Sequence, residues 1–173
     1  MGHAPRAASP TWGYDLAQNL GGSFTARAYG LLAAEFALLT PDDEEFGRLR
    51  LHGISGAELR SGDSIARFET SGRRYRMLAD GKEVLVAAPK GRSIDELKIF
   101  CGGQIYEARG SFLRNLALAY APDGEGVARL SGSFTGRSYE IHFATKDGCA
   151  FPVAVFLVWH GAANRRRAYR RGA

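Results

Sequence analysis

The chain has 173 residues, enough for one domain with a sizeable core. Its 22 glycines are spread along the chain rather than clustered, which favours many tight turns, hence an all-β protein, over a disordered linker. The net charge is +5, and Arg165, Arg166, Arg167, Arg170 and Arg171 alone supply five positive charges; the rest of the chain balances to zero, unlike a nucleic-acid binder with a basic folded body.

Residues 1–22 read as a flexible lead-in. They contain no apolar core of the signal-peptide kind, and Arg6 stands where a myristoylation signal requires Ser or Thr. The expected compartment is the cytoplasm, at most peripheral to a membrane. The body, residues 23–164, repeats one local signal. Strand-like runs meet at acidic or Asp-Gly turns in FALLTPDDEEFGRLRL (36–51), YRMLADGKEVLVA (75–87), LALAYAPDGEGVARL (116–130) and YEIHFATKDGCAFPV (139–153). Asp-Gly supplies the positive φ angles that tight hairpin turns need. Period-two alternation supports strands: Tyr139, Ile141 and Phe143 share one face, Glu140 and His142 the other.

Residues 28–39 suit either a helix of about three turns or two strands split near Ala34-Glu35, and the strand reading is favoured. Taken together the runs predict ten to twelve strands, near 25–32, 36–40, 46–52, 57–60, 65–70, 74–79, 83–88, 95–100, 104–109, 116–121, 126–131 and 138–144. An open sheet of that size curls or splits, whereas closure into a barrel removes its edges. A longer repeat is superimposed. SIARFETSGRRYRM (64–77) resembles GVARLSGSFTGRSYEI (126–141), each with Ala-Arg followed by Gly-Arg-x-Tyr, and the later copy has two extra residues.

Phe151 to Ala163 is apolar or small apart from His160. A helix apolar all round is either buried or in a membrane. A spanning helix needs about 20 apolar residues, more than this run provides. The predicted element is a buried helix near 152–164, with a Val-rich buried strand or a membrane-inserted segment as alternatives. Pro152 suits a first helical turn. A barrel wider than eight strands needs such a plug.

This pattern of Asp-Gly hairpins, about twelve short strands and a terminal apolar helix running into arginines resembles the tubby C-terminal-like superfamily. That group includes tubby proteins, phospholipid scramblases and LURP-one-related proteins. The resemblance implies a closed antiparallel barrel of about twelve strands around a C-terminal hydrophobic helix. It also lends weight to an anionic phospholipid headgroup as ligand, without placing the family's binding residues on this chain.

Catalytic motifs are lacking. GEGVAR (124–129) has Arg129 where a dinucleotide fingerprint has its last glycine and reads as a hairpin turn. Asp42-Asp43-Glu44-Glu45 lacks the spacing of a calcium loop and reads as a solvated hairpin tip. Cys101 and Cys149 have no metal-ligand spacing and read as buried free thiols, with a disulfide left open. His160 reads as a satisfied core histidine. The arginine-rich tail, residues 165–173, reads first as a solvated helix end whose arginines offset the negative end of the helix dipole, and it is also the strongest functional candidate. The expected protein is non-enzymatic and has no cofactor or metal. Its partner is an anionic phospholipid surface or another protein, contacted through Arg165, Arg166, Arg167, Arg170 and Arg171. Two other readings are a lipocalin-like small-molecule carrier with the terminal helix outside an eight-stranded barrel, and an enzyme gathering His52, His142 and Glu140 into a cleft.

Overall fold

The computed structural model describes residues 12–53, 55–93, 95–111 and 115–171, with side chains to Ala168. Twelve strands form: β1 (Ser23–Tyr29), β2 (Glu35–Leu39), β3 (Glu45–His52), β4 (Gly56–Ser61), β5 (Ser64–Ser71) and β6 (Arg74–Ala79). The second six are β7 (Lys82–Pro89), β8 (Glu96–Cys101), β9 (Gln104–Ser111), β10 (Leu116–Tyr120), β11 (Gly126–Gly132) and β12 (Ser138–Phe143). Each pairs antiparallel with its sequence neighbours, and β1 pairs with β12 to close the barrel. Residues 28–39 are two strands, β1 and β2, separated by a loop at 30–34.

The alternation read in the sequence is the inside–outside pattern of the wall. On β12, Tyr139, Ile141 and Phe143 are buried while Glu140 and His142 are exposed. Asp80-Gly81 turns β6 into β7 with both residues at positive φ, 51° and 79°. Asp147-Gly148 behaves differently from the expected hairpin. Its carboxylate accepts the Cys149 N–H at 2.8 Å, and the chain turns into a helix rather than a thirteenth strand.

That helix, α2 (Ala150–Arg171), runs through the barrel interior. Every side chain from Ala150 to Trp159 is buried, and so are His160, Ala162, Ala163 and Asn164. Large apolar side chains buried in this way each contribute about 1.5–3 kcal/mol, which is why an all-apolar helix settles inside a barrel too wide to fill itself. The helix extends past the expected 152–164, because arginine is a good helix former. The carrier reading required α2 outside an eight-stranded barrel; here twelve strands enclose it.

The lead-in expected over residues 1–22 is corrected in its second half; residues 1–11 lie outside the described residues. A short helix, α1 (Tyr14–Leu20), buries Ala17 and Leu20 where α2 enters the barrel. Trp12 stacks on Phe151 at 5.6 Å and donates from Nε1 to Ser64 Oγ at 2.9 Å. Gly13 has φ +77°, and a Cβ there would meet the Phe151 ring at 2.7 Å, so this position requires glycine.

The internal repeat has a geometric counterpart. Hairpins β5–β6 and β11–β12 lie six strands apart in a ring of twelve, on opposite walls. Arg73 donates to Gly91 O in the β7–β8 loop. Arg137 donates to Gly30 O in the β1–β2 loop at 2.6 Å. Both acceptor glycines sit at positive φ, 74° and 72°. Tyr75 and Tyr139, each two residues after its arginine, are both buried. The chain therefore behaves as two six-stranded halves facing each other across α2.

Candidate functional site

An up-and-down barrel sends alternate connections to opposite ends. At the end where α2 enters, the described connections carry Asp42, Asp43, Glu44, Asp63, Asp80, Asp123, Glu125 and Asp147, against Lys146. At the end where α2 leaves, they carry Arg73, Lys90, Arg92 and Arg137, joined by Arg165, Arg166 and Arg167 of α2, against Asp95. The barrel is thus acidic at one end and basic at the other. On the wall between, Arg48, Arg60 and Arg76 are ion-paired with Glu45, Glu58 and Glu69 at 2.7–2.8 Å. These exposed pairs add little stability.

The basic end contains a basin of about 400 Å³ lined by Leu31, Leu32 and Ala33 of the β1–β2 loop, Arg137 of the β11–β12 loop, and Arg165 and Arg166 of α2. No acidic side chain lines it among the described residues. Barrel closure builds it, since β1 and β12 are more than a hundred residues apart in sequence yet paired. Two arginines tie the walls together: Arg137 donates to Gly30 O, and Arg165 donates to Phe134 O. Arg166 Nη1 is buried and has no hydrogen-bond partner among the described residues.

Of the five arginines singled out in the sequence, Arg165 and Arg166 therefore line the basin. Arg167 faces another flank of the helix, near Thr70, Tyr75 and His160. The side chains of Arg170 and Arg171 lie outside the described residues. Sequence reasoning missed Arg137, although Gly-Arg-x-Tyr repeats, and missed the apolar loop residues beside it.

The other candidates do not gather. Glu140 and His142 are exposed on the outer face of β12, 3.7 Å apart, while His52 ends β3 with β1 and β2 between. The run Asp42–Glu45 is the exposed β2–β3 turn, with Asp43 at φ +63°, and no metal-holding cluster occurs among the described residues. Cys101 and Cys149 are free, buried neighbours. A hydrogen bond to Cys149, together with burial, pushes the Cys101 thiol up.

His160 sits inside the plug, where Asn164 Nδ2 donates to its ring, 3.0 Å from Nε2. Burial, and secondarily the charge of Arg167, lower its pKa to about 4. In the unfolded chain imidazole titrates near ~6.5, so below that pH protons favour the unfolded state. The barrel keeps this stability above pH ~6.5 and loses on the order of 3 kcal/mol as pH falls towards ~4. Urea midpoints at neutral and acid pH measure the loss. His160→Gln should remove this component, and an identical acid loss in the variant would assign it elsewhere.

The architecture defines a class: a closed twelve-stranded antiparallel barrel around a central helix. The X-ray structure of a protein from Arabidopsis thaliana shares it, with a TM-score of 0.55 and 12% identity over 90% of this chain and 94% of that one. At that identity the likeness is one of fold alone. No family model and no curated protein matches the chain. No helix among the described residues is long and apolar enough to cross a membrane.

Proposed function

We propose that this protein is a non-enzymatic tubby-like barrel of the LURP-one-related kind. It docks on an anionic phospholipid surface by the end from which α2 emerges. The observation that carries this reading is the basin where Arg137, Arg165 and Arg166 converge with no acidic side chain among the described residues that line it. The charge separation between the two ends adds orientation. A barrel of five- to eight-residue strands is roughly 20 Å tall, so at physiological salt an acidic end turned away from the membrane lies more than a Debye length of about 8 Å from it. Family kinship rests on the shared barrel and the order of its parts, and the lipid reading on the basin.

Co-sedimentation with vesicles tests it. Vesicles of phosphatidylserine and phosphatidylcholine should bind the full chain at low salt and bind it much more weakly near ~0.5 M salt, where screening is nearly complete. Pure phosphatidylcholine should not bind it. Removal of residues 165–173 should abolish binding. Inorganic phosphate at matched ionic strength should not compete, because a surface offers many charges at once. Binding to both vesicle types alike, or to neither, would end the proposal.

A further inference from the structure

The β1–β2 and β11–β12 loops do more than line the basin. Leu31 is 97% exposed, Leu32 82% and Phe134 94%. Isolated exposed apolar residues are common on any surface. Three large ones at near-complete exposure, on two loops joined to each other and to α2 through Arg137 and Arg165, are not isolated.

The second half of the barrel supplies an internal control. Around the opposite hairpin the same arginine–glycine link is made, yet Gly91 is followed by Arg92 and Ser93 where Gly30 is followed by Leu31 and Leu32. The β5–β6 turn is Gly72-Arg73, whereas the β11–β12 connection is longer by the extension that carries Phe134. The same link therefore forms where the glycine is followed by polar residues. Among the described residues, large apolar side chains exposed to this degree stand only on the side of the barrel where the three basin arginines are.

From this we infer that Leu31, Leu32 and Phe134 are membrane-inserting anchors, and that the partner of this end is the bilayer itself: the tips enter the acyl boundary while Arg137, Arg165 and Arg166 hold anionic headgroups above them. This rests on the docking proposed above and adds apolar insertion to it. Charge complementarity selects the occupant. An acid-free basic collar around protruding apolar tips matches a layer with anionic headgroups over hydrocarbon. Aromatic and aliphatic side chains at the interface add attraction that salt does not screen.

The test uses the full chain and vesicles of phosphatidylserine and phosphatidylcholine. A Phe134→Trp variant should shift to the blue on the vesicles and be quenched by brominated acyl chains. Wild type should not be quenched, because Trp159 is inside the barrel and Trp12 is at the far end. The variant L31S/L32S/F134S changes solvent-exposed positions and should keep the wild-type unfolding midpoint. It should bind at least tenfold more weakly, and what remains should be entirely salt-sensitive. If wild type binds but Phe134→Trp is unquenched, or the triple variant binds as tightly as wild type, insertion is wrong and headgroup docking stands. If wild type does not bind, both fall.

Discussion

Trp159→Ala should cost about 3–5 kcal/mol, enough to remove much of the fold. Trp159 is 1% exposed at the middle of the plug, between Phe68 at 5.2 Å, Phe156 at 5.7 Å and Tyr75 at 5.9 Å. Two of these partners come from the wall and one from α2 itself, so the side chain joins helix to barrel. An alanine leaves a void that rigid strands on all sides cannot collapse into. Domains are typically stable by only about 5–15 kcal/mol. With a urea slope of about 2 kcal/mol per molar, the midpoint should fall by roughly 2 M. Phe100→Ala, on the outer wall and half exposed, should move it little. Equal effects of the two substitutions would mean that α2 is not the structural centre.

The second large effect concerns binding. R165Q/R166Q removes two of the three arginines lining the basin while keeping long polar side chains. Near an anionic surface each arginine contributes about 1 kcal/mol, so the pair should weaken vesicle affinity by roughly 30-fold. The same number of charges changed at the acidic end, in D42N/D43N, should leave affinity nearly unchanged, because docking by the basic end would turn that end away from the membrane, where it is screened. A similar change from both variants would show that net charge alone governs binding, with no preferred end.

The strands were legible in the sequence because two independent signals agreed. Side chains such as Tyr139, Ile141 and Phe143 alternate with Glu140 and His142, and Asp80-Gly81 supplies a turn that needs positive φ. The plug was legible because no face of residues 151–159 is polar. Helix α1 was missed because it is seven residues long and buries only Ala17 and Leu20, too few to show a period. The basin was half visible. Arg165 and Arg166 stand out in a run, but Leu31, Leu32, Phe134 and Arg137 look like ordinary loop residues until closure brings β1 beside β12. Which arginines share an end follows from the number of strands between them, and a strand count is certain only once the barrel is closed.

The central claim is that α2 is a plug that stays in the barrel while its arginine end meets the lipid. Trp159 fluorescence in a Trp12→Phe variant, read with acrylamide before and after adding phosphatidylserine vesicles, tests it most directly. The account predicts a blue-shifted, poorly quenched Trp159 in buffer that does not change when the protein binds. An exposed Trp159 in buffer, protected only once vesicles are present, would contradict it and make α2 the membrane-inserting segment.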